Sequence, residues 1–230
     1  MVGGKPLMAY IIEAGLAASR IDRLIVSTES EAIADVARSW GAEAPFLRPP
    51  ELAQDHISLI PVADHAMRWC DEHGWAPDVV VSIQPTSPLL EARDIDQAIM
   101  MLEETGCDSV VGVTEILQHH PFRAMSFAQG RLSPFTEHTS ERYLQKQDRP
   151  TAYGFTGGLY VRRRQVLEQW SGKDFALGRD VRGVFIEPER AVNIDHEVDL
   201  VFFEALLRYR EGYRIPVADV CAATNQGVQS

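Results

Sequence analysis

Apolar positions along the 230-residue chain follow two spacings, and the switches between them mark out the elements. Leu7, Tyr10, Ile11, Ala14 and Leu16 recur at helical spacing to about Arg20. Residues 21–28 read as a buried strand ending in hydroxyls. Ser30 can cap a following helix that turns Ile33, Val36 and Trp40 inward and stops at Gly41. A short strand at 44–47 leads into the turn Arg48-Pro49-Pro50, and a longer helix spans about 58–73. The run Val79-Val80-Val81-Ser82-Ile83 is then a strand that must stop. Pro85 cannot donate to a ladder and Pro88 blocks a restart. A helix over 92–105 closed by Gly106 and a buried strand over 108–114 complete this half.

Strict alternation of helix and strand predicts a mainly parallel sheet flanked by helices, hence an α/β fold. From 118 to 150 the helical period vanishes. Met125-Ser126-Phe127-Ala128 and Leu132-Ser133-Pro134-Phe135 flank Gln129-Gly130 as a β-hairpin would. This stretch predicts a protruding arm, suited to subunit contact or to a lid. Alternation resumes with a strand at 157–161, a helix at 164–170, a strand at 184–187 and a helix at 197–210. The polar end, 222–230, is expected to fray. The whole fits one domain over 1–230 with the arm inserted at 118–150.

Composition narrows the partners. At 45% hydrophobic and 24% charged the chain is an ordinary globular protein. Its net charge of −11 argues against broad binding to nucleic acid or an anionic membrane. Cys70, Cys107 and Cys221 are odd in number and form no CxxC, which points away from structural zinc or a disulfide framework and toward a reducing cytoplasm. No apolar run approaches the roughly 20 residues that span a bilayer, and no signal peptide is visible.

The chemistry gathers where the valine strand ends. Gln84, Thr86 and Ser87 stand polar at its C-terminal end, where open α/β sheets hold ligands. Asn193 and Asp195 lie two apart after a later strand, so their side chains can share a face. Asp195 can equally cap the helix beginning near Glu197. Adjacent histidines rarely point at one ion, so His119 and His120 read as structural or interface residues. Glu103-Glu104 and Arg162-Arg163-Arg164 read as solvated faces.

The segment Ile83-Gln84-Pro85-Thr86-Ser87-Pro88-Leu89 resembles the LQPTSPLR signature of the CMP-acylneuraminate synthetases (acylneuraminate cytidylyltransferases). Gly4-Lys5-Pro6-Leu7, Val26-Ser27-Thr28, residues 47–55, Lys146-Gln147-Asp148, Gly157-Gly158-Leu159-Tyr160 and residues 193–197 match in the same order. The resemblance covers about residues 3–210. It implies a Rossmann-like nucleotidyltransferase fold, a homodimer joined through the arm, and Mg²⁺ as cofactor. The implied reaction joins CTP to a nine-carbon 2-keto sugar acid, giving a CMP-sugar and pyrophosphate. Such transfer depends on positioning and on offsetting negative charge, which a Mg²⁺ held by carboxylates and phosphate oxygens supplies.

The resemblance also assigns residues. Asp195 matches one of two metal-binding aspartates, and Asn193 replaces the other with a neutral amide. Gln84 falls at a sugar contact, with Thr86 and Ser87 lining the floor, although a turn satisfying its own backbone would use the same hydroxyls. Arg48 and Ser58 match positions at the cytidine end, where an Arg bonding loop carbonyls is the competing reading. Lys146 matches a basic position facing phosphate or carboxylate, and a solvated lysine is the alternative. Gly154-Phe155-Thr156-Gly157 departs from R-x-N-G, placing Thr156 at a sugar-touching asparagine. A legionaminate- or pseudaminate-like acid therefore suits the site as well as sialic acid.

Relatives of this type open with a strand and a Gly/Lys-rich loop cradling the triphosphate. Here Met1-Val2-Gly3-Gly4-Lys5 leads straight into the first helix. A truncated beginning, short by about 20 residues, is the expectation. It carries two consequences: a gap exposing two strand edges and, if Met1 is the real start, little or no cytidylyl transfer from this chain alone. Competing functions are the same fold using GTP or an eight-carbon acid such as Kdo, and a non-catalytic sugar-nucleotide binder.

Overall fold

The computed structural model describes residues 1–135 and 145–212, with the Lys146 side chain excepted. Among the described residues six α-helices and six strands appear in the order α1 (Leu7–Ala17), α2 (Glu31–Ser39), α3 (Leu59–Glu72), β1 (Val79–Ile83), α4 (Ala92–Thr105), β2 (Ser109–Glu115), β3 (Met125–Ala128), β4 (Arg131–Pro134), β5 (Tyr153–Arg163), α5 (Arg164–Glu168), β6 (Val181–Phe185) and α6 (Glu197–Arg210). The main sheet runs β1-β5-β2-β6. β2 and β6 pair parallel, whereas β5 lies antiparallel between β1 and β2. Three of the four strands thus share one direction, and strict alternation overstated the parallel character. The described part of the connection between β2 and β5 holds a hairpin and single 3₁₀ turns rather than a crossover helix, in keeping with an antiparallel return.

Helix ends follow local chemistry. Ser30 accepts from the Ile33 amide and starts α2, but Ala34 and Ala37 form its buried face while Ile33 is exposed. Gly106 ends α4 at φ 70°, a left-handed geometry open to glycine. Gln129 (φ 50°) and Gly130 (φ 77°) make the two-residue turn of the β3–β4 hairpin, whose strands are fully exposed. The core packs α4 (Ile95, Ile99, Leu102) and α1 (Ile11) against Val110, Leu159, Val161 and Val184 of the sheet. Arg162 corrects the reading of a solvated arginine run. It is 3% exposed, donates to the Phe175 and Ala176 carbonyls, and burial pulls its pKa down to about 10. Its neighbours are engaged too: Arg163 donates to the carbonyls of Leu102 and Cys107, and Arg164 pairs with Asp71.

Residues 21–28 form less than a full strand. Only Ile25 and Thr28 bridge, in parallel, to Glu43 and Leu47. β1 stands at the sheet edge, and all five of its residues are half-buried, against four fully buried residues in β2. Gln84 N–H donates to Gly158 O, and Asp78 O accepts from Arg164 N–H. By the period of two, the amides of Val79, Val81 and Ile83 face away from β5. They open onto a cavity of about 620 Å³ between β1 and residues 21–27, floored by Ile11 and Ile12 of α1 and Met67 and Cys70 of α3.

Candidate active site

The floor forms because Pro85 ends β1 and the chain turns at once. Ser87 N–H donates back to Gln84 O, and Leu90 N–H to Ser87 O. Thr86 Oγ1 donates to Gln84 Oε1 at 3.4 Å, but Ser87 Oγ is buried without a partner. The reading in which this turn only satisfies itself therefore fails at Ser87. Ser87 packs against bare backbone: a Cβ at Gly158 would come within 2.4 Å of Ser87 Oγ and Cβ.

The second wall is the segment after β6. Ile194 N–H donates to Thr86 O at 2.8 Å, and Ile194 packs with Leu89 and Phe203 of α6. This carries Asn193 and Asp195 to the floor. The cap of α6 is His196, boxed with Asp199, whose carboxylate accepts from the amides of Asp195 and His196. Those two bonds hold the Asp199 carboxyl below the usual carboxylate range. Asp195 is therefore not the cap. Among the described residues its exposed carboxylate accepts from Asn193 Nδ2, at 2.9 Å, and Asn193 Oδ1 is buried without a partner. An orphaned amide oxygen beside an exposed carboxylate is an oxygen donor pair suited to a hard cation. Among the described residues no group of three or more His, Cys, Asp or Glu side chains is placed to hold a metal ion.

The third wall is where Arg48 N–H donates to Thr28 O, beside Ser27. Arg48 lines the slot cavity together with Ser27, Gln84 and Thr86. One end of its guanidinium is held by Glu29 at 2.5 Å, which depresses the Glu29 carboxyl, while Nε is buried and unpartnered. Ser27 Oγ is likewise buried and unsatisfied. These orphaned groups point to a ligand with both acceptors and donors.

The structure thus gathers Arg48, Gln84, Thr86, Ser87, Asn193 and Asp195 around one end of the sheet. Thr156 stands beside them with its hydroxyl committed: it donates to Gly112 O at 3.3 Å and accepts from Gly158 N–H. Ser58 is exposed at the start of α3 and makes no side-chain cap bond. The Lys146 side chain lies outside the described residues. Sequence reasoning missed the support behind the site, chiefly Arg190, which reaches Asp94, Glu187 and Leu89 O. A Glu-x-x-Asp pattern at residues 91–94 signalled the capping box of α4 but not its arginine.

Comparison with known proteins agrees with this architecture. The chain is 29% identical over 202 residues to N-acylneuraminate cytidylyltransferase A of Danio rerio, covering 86% of this chain and 44% of that longer protein. It is 29% identical over 213 residues to the CMP-N,N'-diacetyllegionaminic acid synthase of Legionella pneumophila, covering 92% and 89%. Against a pseudaminic acid cytidylyltransferase of Campylobacter jejuni it is 27% identical over 206 residues, covering 89% and 86%. Among solved structures, a CMP:2-keto-3-deoxy-manno-octonic acid synthetase complexed with CTP superposes with a TM-score of 0.66 at 16% identity, covering 91% of this chain and 90% of that one. A 4-diphosphocytidyl-2C-methyl-D-erythritol synthase of Anaerococcus prevotii superposes at 0.63 and 13%, covering 90% and 88%. These two likenesses show the fold, an α/β arrangement with a mixed sheet flanked by helices. The family model for cytidylyltransferases matches residues 1–172, three-quarters of the sequence, and the chain belongs to that family.

Proposed function

We propose that this protein activates a nine-carbon 2-keto sugar acid with CTP, releasing pyrophosphate and a CMP-sugar. The observation that carries the reading is the Ile194–Thr86 hydrogen bond, which sets Asn193 and Asp195 against the Gln84–Ser87 floor. The acid's anomeric oxygen forms a bond to the α-phosphorus of CTP as the bond to pyrophosphate breaks, and its hydroxyl proton leaves to solvent or base. Gln84, Thr86 and Ser87 would orient the acid. Arg48 would hold the cytidine, with Ser58, exposed at the start of α3, assigned to that end by the resemblance alone. Lys146 would face phosphate or carboxylate from the arm.

Asn193 Oδ1 and the Asp195 carboxylate would hold Mg²⁺. Bound there with substrate phosphate oxygens, it would offset their charge. The amide at 193 brings one negative charge fewer than a second aspartate would, so weak binding without nucleotide is part of the reading. The committed Thr156 hydroxyl gives a sugar little to bond, in keeping with an acid other than sialic acid itself.

The working unit in this reading is a homodimer. Phe127, Leu132 and Phe135 are 73%, 64% and 72% exposed on the hairpin, and Tyr153 and Phe155 are exposed on β5 nearby in sequence. An apolar arm of this kind suits burial against a second copy. A cytoplasmic setting fits the free thiols of Cys70 and Cys107. No described helix is long and apolar enough to cross a membrane.

The test is to incubate the protein with each NTP, Mg²⁺ and a panel of 2-keto sugar acids, then measure pyrophosphate. Release with CTP and a nine-carbon acid is expected. Release with GTP, or only with an eight-carbon acid, would replace this reading.

A further inference from the structure

Arg190 is nearly fully buried, at 8% exposed, and is surrounded by carboxylates. Its Nη1 and Nη2 meet the two oxygens of Asp94, itself 2% exposed, at 2.6 and 2.9 Å. Nε donates to Glu187 at 2.8 Å, Glu91 stands 3.7 Å away, and Nη1 reaches Leu89 O at 3.5 Å. The pairing with Asp94, opposed by burial, raises the guanidinium pKa above its ordinary value. A buried ion pair adds little net stability over an apolar pair of similar volume, and its best-attested use is to fix a particular geometry.

The geometry at stake here is specific. Arg190 lies three residues before Asn193 and five before Asp195. Asp94 lies at the start of α4, and its Oδ2 also accepts the Glu91 amide. Leu89 belongs to the floor turn itself. The segment carrying Asn193 and Asp195 is therefore pinned to the floor at two points, Ile194 to Thr86 O and Arg190 to Asp94 and Leu89 O. One hydrogen bond leaves a hinge, and the bidentate fork removes it.

We propose that Arg190 is a positioning residue, whose fork onto Asp94 sets the Asn193–Asp195 oxygen pair at its distance from the Gln84–Ser87 floor. The inference rests on the metal reading given above. Its test uses Mn²⁺ as the probe, counted by electron paramagnetic resonance, alongside steady-state kinetics and thermal melting. Arg190→Lys keeps the charge and loses the fork. We expect Mn²⁺ to bind about tenfold more weakly and kcat to fall about tenfold or more, with KM for CTP within about twofold. Should Arg190→Lys fail to fold, Asp94→Asn, with similar size and one oxygen retained, carries the same expectation.

A folded variant with Mn²⁺ affinity and kcat unchanged, or one that loses only melting temperature, would overturn the proposal. Asp195→Ala separates the two levels. If it leaves Mn²⁺ affinity unchanged, the metal reading itself fails. If it abolishes Mn²⁺ binding while Arg190→Lys does not weaken it, only the positioning role fails.

Discussion

Ile194 donates its amide to the Thr86 carbonyl at 2.8 Å, joining two segments more than a hundred residues apart in sequence. Through that bond the polar turn after β1 and the Asn193–Asp195 pair are brought side by side. Each can therefore be altered without dismantling the other.

Asp195→Ala should lower cytidylyl transfer by about 100-fold or more while leaving the melting temperature essentially unchanged. The carboxylate caps no helix and, among the described residues, accepts from Asn193. Asp199→Ala, which removes the capping-box acceptor of two amides, should do the reverse: a lower melting temperature with smaller kinetic loss. Parallel melts and pyrophosphate assays on the two variants check both. Retained activity in Asp195→Ala would remove that residue from the site.

Gly158→Ala should destabilise the protein by about 1–3 kcal/mol and raise KM for the sugar acid more than for CTP. The new Cβ would fall 2.4 Å from Ser87, so the floor must shift before the fold can close. Denaturant melts with KM measured for both substrates settle it. An increase confined to CTP would place the floor at the wrong ligand.

Hydrogen exchange should resolve the free edge of β1. The amides of Val79, Val81 and Ile83 open onto the slot and should exchange at least about tenfold faster than those of Val80 and Ser82, which face β5. Equal protection along β1 would mean that the slot is closed in solution.

Acid should weaken the wall behind the site. Burial raises the Glu91 carboxyl, but Arg210, Arg190 and Arg93 outweigh it and leave the group below its ordinary value. Backbone bonds and Arg190 depress Glu187, and the amides of His196 and Asp195 depress Asp199. A depressed carboxyl contributes stability that is complete above its unfolded pKa, about 4, and is lost as pH falls through the lower folded value. Thermal melts should therefore be flat from about pH 7 to 5 and decline below about 4. A decline beginning near pH 6 would implicate histidines instead.

The parts of this molecule legible in its sequence are those set by local chemistry. The limits of α4 are as its periodicity predicts, Pro85 ends β1, and Gln129-Gly130 makes the hairpin turn. What stayed hidden depends on partners distant in the chain. A run such as Gly157–Val161 looks the same whether its neighbours run parallel or antiparallel, and the connection before it decides the direction. Arginines 162–164 look like a solvated cluster until the carbonyls of residues 102, 107, 175 and 176 arrive beside the first two and Asp71 beside the third. The floor and the Asn193–Asp195 pair were visible as motifs. That Asp195 is exposed while Asp199 does the capping is visible only in three dimensions.

The central claim is transfer of a cytidylyl group to a sugar acid, and phosphorus-31 NMR of one mixture tests it most directly. Protein, Mg²⁺, CTP and a nine-carbon 2-keto acid should convert the triphosphate resonances into one phosphodiester and pyrophosphate in equal amounts, dependent on the acid. Triphosphate left intact, or split into CDP and phosphate, would contradict the account.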